Sequence, residues 1–228
     1  MLGAGLLTRL VSPGPAIYRQ TRISRLGREF TIYKIRSMHP DCERDTGPRW
    51  STPDDPRLTP LGGFLRRTHI DELPQLINVL RGEMSLIGPR PERPEFVSKL
   101  EKSVPFYRLR EGILPGLTGL AQVQLPPDTE ELEVHRKVAC DLYYLRHQGP
   151  WLDLRILIGT AMKVLDIPAR VSCRILGIPT GPVVEKDYRR LFSAALGRGR
   201  ENPEPDEPGI SPEWGVWIAG ERILTCGD

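Results

Sequence analysis

The chain has 228 residues, 39% of them apolar, and its 32 basic and 29 acidic side chains give a formal net charge of +3. That length fits one domain with appendages better than two full domains. The near balance of charge excludes a global basic field, so any dealing with anions must come from local clusters. Cys42, Cys140, Cys173 and Cys226 are far apart with no Cys-x-x-Cys pair, which argues against a zinc site or a disulfide framework and for reduced thiols in a cytoplasmic setting.

No stretch of about 18 apolar residues occurs, so no segment is expected to span a bilayer as a helix unaided. Residues 1–11 are apolar but too short for a signal-peptide core, and they read as the end of a longer apolar helix. Ser12-Pro13-Gly14-Pro15 then punctuates the chain. Residues 17–23 and 29–35 are predicted to be two strands joined by a Gly-containing hairpin loop at 24–28. From 38 to 60 the sequence is polar and rich in Pro and Asp, the composition of an ordered loop or lid, and 61–67 reads as a short helix.

Residues 71–80 carry Leu73, Leu76, Ile77 and Leu80 at helical spacing, which predicts a helix with that stripe buried. Asp71 stands where an N-cap belongs, Pro74 falls in the first turn, and Gly82 supplies the stop. A further helix is expected over 94–110, a tight turn at 115–119 and a long helix over 129–147. The apolar segment 151–165, interrupted by Asp153, Arg155 and Lys163, suits either a helix packed on a core or one lying in a membrane interface, with the two cations reaching toward headgroups. Beyond about residue 198 the composition is that of a disordered linker. There are no internal repeats.

The chemistry concentrates around Asp71 and Glu72. Neighbours on a helix point about 100° apart and cannot face one another across a single bond, so divided labour is the natural reading: one attacks or binds, the other holds a metal or a proton. A helix start with Arg66 and Arg67 nearby would keep Asp71 ionised, and an ionised carboxylate can attack a phosphoryl group to give an acyl phosphate. Taken alone, the dipeptide reads first as an N-cap followed by a first-turn Glu, which is what Asp-Glu before an apolar stripe usually means. The surrounding cations tip the balance. Lys34 and Arg36 share a parity on the second predicted strand, Arg22 lies on the first, and Arg90 is stiffened between two prolines, where a guanidinium fork is held toward phosphate oxygens at low entropic cost. Together they read as a diphosphate cradle, for which Mg²⁺ is the expected companion and Glu72 the best single ligand.

Ser12-Pro13-Gly14-Pro15, Arg19-Gln20-Thr21-Arg22-Ile23, Lys34-Ile35-Arg36-Ser37-Met38, Asp54-Asp55-Pro56-Arg57-Leu58-Thr59, Asp71-Glu72, and 115–123 with Gln122, followed by Asp141-Leu142-Tyr143-Tyr144 and Trp151-Leu152-Asp153-Leu154, resemble in order the motifs of the bacterial sugar transferases. These are the monotopic polyprenyl-phosphate phosphoglycosyl transferases. The resemblance covers residues 12–167. It implies an α+β fold in which a β-hairpin is packed among several helices, some at the membrane interface. It divides the chain into a remnant of a membrane-associated helix (1–15), a catalytic domain (16–170) and a partly disordered extension (171–228).

It implies an enzyme that transfers a sugar phosphate from a nucleoside diphosphate sugar, by the family's habit a UDP-sugar, to polyprenyl phosphate in surface-glycan or exopolysaccharide synthesis, at the cytoplasmic face of the bacterial inner membrane, attached monotopically or peripherally. By analogy Asp71 is the nucleophile and Glu72 its metal-binding or proton-handling neighbour, while Lys34, Arg66 and Arg90 engage phosphate. Asp141 matches a motif carboxylate without an assigned role. Two departures stand out: only about eleven residues of the family's N-terminal helix are present, and His69-Ile70 replaces a small hydroxyl-bearing residue and Leu. The competing reading is a binding module of the same fold that lacks its membrane helix. A nucleic-acid-binding role fits poorly, because no aromatics interleave with the Arg clusters.

Overall fold

The computed structural model describes residues 2–52, 55–126, 131–196, 216–218 and 221–223. It is an α+β molecule made of two compact units, residues 1–178 and 179–228. In the first unit, α1 (Leu2–Val11) precedes an antiparallel hairpin of β1 (Ile17–Ile23) and β2 (Glu29–Ile35), paired from Ile17 with Ile35 to Ile23 with Glu29. The predicted strands are therefore borne out residue for residue. Their turn needs two positive φ angles, and Leu26 (φ 59°) shares that burden with Gly27 (φ 74°). On β2 the alternation works as expected: Phe30 and Ile32 face inward against Met84 and Val79.

The polar loop over 38–60 is ordered, where described, by charge rather than by apolar burial. Arg57 donates to both oxygens of Asp55, at 2.8 Å and 2.6 Å, and to Glu43 at 3.1 Å. The hydrogen bond from Arg57 holds the Asp55 carboxyl down to about 2. After α2 (Gly62–Arg67) comes a 3-10 turn (Ile70–Gln75), which runs on into α3 (Leu76–Leu80).

Here the structure overturns an expectation. The buried face of this segment is polar, made of Asp71, Glu72, Gln75 and Asn78. The apolar stripe faces outward instead, with Leu73 37%, Leu76 38%, Ile77 41% and Leu80 88% exposed. Both stripes recur at helical spacing; Asn78 decides between them by donating to the Thr31 carbonyl of β2 and to Glu83, each at 2.7 Å. Asp71 is not an N-cap either, since His69 precedes the turn in a left-handed conformation (φ 54°).

Two further expectations are corrected. The helix predicted over 94–110 ends at Ser103 as α4 (Pro94–Ser103), because Pro105 follows closely and Phe106 turns left-handed (φ 61°) before a second 3-10 turn (Tyr107–Gly112). The tight turn predicted at 115–119 is instead a strand, β4 (Gly116–Thr118), parallel to β3 (Ser85–Ile87). Two short strands bounded by Gly and Pro carry no alternation long enough to read in the sequence. Their approach requires glycine: a Cβ on Gly88 would lie 2.4 Å from the Leu114 carbonyl oxygen, and one on Gly116 would lie 2.1 Å from the Gly88 nitrogen.

Beyond these come α5 (Leu120–Gln124), α6 (Glu131–His147), α7 (Pro150–Val164) and α8 (Ala169–Leu176), with α5 packed against α6, α7 and α8. The start predicted for the long helix at Thr129 lies outside the described residues. Helix α7 packs one side on the core and leaves the other exposed: Ile156 and Gly159 are buried, while Trp151, Leu154 and Ile158 are exposed, as is Leu165 just past its end. Its cations do not reach outward as expected. Lys163 turns in to donate to the Gln122 and Leu125 carbonyls, and Arg155 stacks 5.2 Å from the Trp151 ring while donating to the Gly177 carbonyl. The second unit contains α9 (Gly181–Leu196) and an antiparallel pair, β5 (Val216–Ile218) with β6 (Glu221–Ile223). The linker expected after 198 falls on 197–215, outside the described residues. Among the described residues no helix is long and apolar enough to cross a membrane.

Candidate active site

Three elements converge on Glu72. From β2, Lys34 Nζ donates to Glu72 Oε1 at 2.8 Å. From the loop after β3, Arg90 donates to the same oxygen at 2.7 Å and to Oε2 at a long 3.4 Å. The carboxylate itself sits in the 3-10 turn that the polar face of 71–78 presses against the hairpin. Burial opposes its charge, but Arg90 and then Lys34 overcome that and hold Glu72 well below the usual carboxylate range. Burial conversely lowers Lys34, with Glu72 pulling it back up.

Asp71, next door, is in a different electrostatic state. It is 5% exposed, and its Oδ1 is buried with no hydrogen-bond partner. Burial raises its carboxyl to about 6, against the pull of Lys34 and with Glu72 adding to the rise. Asp71 therefore stays mainly ionised at neutral pH as expected, but with its carboxyl raised by burial rather than lowered, since Glu72 takes the hydrogen bonds of Lys34 and Arg90. At pH 7 the carboxylate still outweighs the acid by about ten to one. Two adjacent carboxylates thus titrate far apart, which is the pattern of divided catalytic roles.

The other predicted cations sort into two groups. Arg66 lies close enough to Asp71 to feel its charge, while its Nε donates to the Ser37 hydroxyl at 3.0 Å. Arg22 braces the Pro-Arg-Pro loop, donating to the Pro91 carbonyl at 3.0 Å and to Gln20 at 2.7 Å. Arg36, predicted to face phosphate beside Lys34, is turned away. It lies just past β2, and its guanidinium donates to Pro15 and to both oxygens of Ser12 at 2.6–2.9 Å, which makes it an anchor for the entry to the hairpin. Gln122 donates to the Leu117 carbonyl at 3.2 Å and keeps a buried, unpaired Oε1.

Asp141 connects to the site through a residue that sequence reading missed. Arg110, in the second 3-10 turn, donates to Asp141 Oδ2 at 2.9 Å and to the Arg90 carbonyl at 2.9 Å. Asp141 is thus two hydrogen bonds from the backbone that aims the Arg90 guanidinium. Lys163 was missed as well: it contributes positive charge near both Arg90 and His69. Nothing in the sequence distinguishes Arg110 from a surface arginine, since the partners that tie it to the site lie 20 and 31 residues away.

The arrangement can hold an anion with two or more oxygens against Arg90 and Lys34 while presenting a free carboxylate oxygen beside it. Residues 1–167 match the family model described as bacterial sugar transferase. The chain is 40% identical over 165 residues to the UDP-N-acetylgalactosamine-undecaprenyl-phosphate N-acetylgalactosaminephosphotransferase of Aeromonas hydrophila, covering 72% of this chain and 39% of that one. It is 42% identical over 167 residues to the UDP-glucose:undecaprenyl-phosphate glucose-1-phosphate transferase of Xanthomonas campestris pv. campestris, covering 72% and 34%. Over 170 residues it is 39% identical to an exopolysaccharide production protein of Rhizobium leguminosarum bv. phaseoli, covering 72% and 85%. With the order of its motifs and a buried Asp-Glu pair held between Lys34 and Arg90, the chain belongs to the bacterial sugar transferase family.

Proposed function

We propose that this chain transfers a sugar phosphate from a UDP-sugar to undecaprenyl phosphate, at the start of exopolysaccharide or related glycan assembly. The observation that carries the reading is the unpaired, buried Asp71 Oδ1 beside two cations that converge on Glu72. A diphosphate entering the site competes with Glu72 for Lys34 and Arg90, and its sugar-bearing phosphorus comes within reach of Asp71. Attack forms an Asp71 oxygen–phosphorus bond and breaks the anhydride, so the nucleoside monophosphate leaves with the electron pair. The terminal oxygen of undecaprenyl phosphate then attacks the same phosphorus and frees the Asp71 carboxylate. Incubation with a labelled UDP-sugar and undecaprenyl phosphate tests this: label passes to the lipid phase with release of UMP, and a lack of any such product with every common UDP-sugar contradicts it.

Mg²⁺ fits the donor set. Among the described residues no group of three or more His, Cys, Asp and Glu gathers to cage a metal, and Mg²⁺ usually takes one or two carboxylates and completes its shell with phosphate and water. Glu72 would hold it, leaving Asp71 Oδ1 for attack, and a bound ion would neutralise charge on the diphosphate.

The pH dependence follows from Asp71. Protonation removes the nucleophile, so kcat/KM falls about tenfold per unit as pH drops below about 6, the value to which burial raises this carboxyl. A profile flat down to pH 5 assigns the nucleophile elsewhere.

The acceptor is a lipid, and the inverted stripe of 73–80 supplies a membrane contact. Four apolar side chains turned from the protein core at helical spacing fit a bilayer interface, and Leu6, Leu7 and Leu10 of α1 and Leu154 and Ile158 of α7 are exposed apolar residues as well. Attachment at the cytoplasmic face of the inner membrane, monotopic or peripheral, is part of the same proposal. Changing Leu76 and Leu80 together to Asp removes up to about 2 kcal/mol of apolar contact per leucine. Liposome cosedimentation is expected to drop at least tenfold with the melting temperature unchanged; unchanged binding by a folded variant excludes this stripe as the contact.

A further inference from the structure

Away from Asp71, a cavity of about 350 Å³ lies between residues 48–52 and α4. Two half-buried aromatic rings form its walls, Trp50 and Phe96, with centroids 5.3 Å apart and planes tilted by 44°. The Trp50 indole N–H is buried and has no protein acceptor. Arg49 and Lys99 line the same cavity, and both are exposed. The walls are braced: Arg57 donates to the Trp50 carbonyl at 3.0 Å and to Glu43, and Glu43 accepts Arg93, whose guanidinium stands 5.5 Å from the Phe96 ring.

An aromatic pair with two neighbouring cations matches a heterocyclic base carrying an anionic tail, because every base offers a flat face to stack. The volume, at the small end for ligand sites, suits a base and its sugar rather than a whole nucleotide sugar. Both walls lead to the phosphate-facing cluster. Helix α4 begins four residues after Arg90, a reach of at most roughly 13 Å along extended chain. On the other side, Asp55 and Arg57 lie within the electrostatic surroundings of Arg66.

We infer that this cavity receives the nucleobase and ribose of the nucleoside diphosphate donor, stacked on Trp50 and Phe96, with Lys99 and Arg49 flanking the tail that leads to Arg90. The inference rests on the transferase reading and extends it to the donor's nucleoside end.

The test compares the affinity of UMP and ribose 5-phosphate for the full chain, measured by calorimetry, in the parent, Trp50→Ala, Trp50→Phe and Lys99→Gln. The parent is expected to favour UMP by about tenfold or more, the worth of one stacked base. Trp50→Ala erases that preference and raises the KM for the UDP-sugar with kcat little changed, Trp50→Phe keeps most of it, and Lys99→Gln weakens UMP binding. If Trp50→Ala fails to fold, the exposed Lys99→Gln decides alone. Folded variants that bind UMP like a parent that does transfer sugar phosphate overturn the base site and leave the transferase reading standing. A parent that neither transfers nor prefers UMP overturns both.

Discussion

Asp71→Asn is expected to lose turnover by a factor on the order of 10⁴ or more, the scale seen when a covalent nucleophile is removed, while folding at least as stably as the parent. The second half of that expectation separates chemistry from structure. Asp71 Oδ1 has no hydrogen-bond partner to lose, and its carboxyl is raised to about 6 by burial. A carboxyl whose folded value lies above its unfolded value near 3.9 opposes folding at any pH where it is ionised. The amide removes that penalty, so the variant gains roughly 1–3 kcal/mol at pH 7. The gain shrinks as pH falls through 6 and vanishes below about 3.9, where the parent's carboxyl is protonated both folded and unfolded. Melting curves at pH 7 and pH 3.5 together with a transfer assay check both halves. A destabilised variant at pH 7 would mean that Asp71 is held by interactions that matter for folding.

The second large effect belongs to Asp141 and Arg110, buried together with a 2.7 Å contact. Removing one partner strands the other's charge, at a cost of about 3–5 kcal/mol, so Asp141→Asn or Arg110→Met alone lowers the melting temperature by about 10 °C at this chain length. Replacing both with apolar residues, Asp141→Leu with Arg110→Met, restores most of the stability, because a well-packed apolar pair substitutes for a buried ion pair at little net cost. Activity does not return with it. The Arg90 carbonyl has lost its Arg110 donor, and the Arg90 guanidinium is no longer aimed at the site. Thermal melts alongside the KM for the UDP-sugar distinguish the two roles; a double variant with both stability and KM restored makes the pair purely structural.

What the sequence disclosed and what it hid divide along physical lines. The hairpin was legible because β2 alternates over seven residues with Phe30 and Ile32 on one face. Helix α7 was legible from its length and apolar content, and Asp71, Glu72, Lys34 and Arg90 from the rarity of that charge pattern beside Gly and Pro. The direction of the 71–80 face was not. Hydrophobic periodicity reports which side is apolar, not which phase that side meets, and here the polar stripe through Asn78 wins the protein interior. Arg36 and Lys163 misled for a related reason: a long cationic side chain can bend to main-chain carbonyls on either side of its backbone, and strand parity or helix position does not say which. The β3–β4 pair and Arg110 rest on contacts across 20 residues or more, which no local pattern records.

The central step of the proposed reaction is a covalent sugar phosphate at Asp71. Intact-protein mass spectrometry after brief incubation with the UDP-sugar alone, without undecaprenyl phosphate, tests it most directly. The predicted result is an added mass equal to one sugar phosphate, mapped to the peptide containing Asp71, absent from Asp71→Asn and discharged when undecaprenyl phosphate is added. An enzyme that transfers sugar phosphate under the same conditions yet gathers no adduct with donor alone, and whose Asp71→Asn variant still turns over, contradicts it.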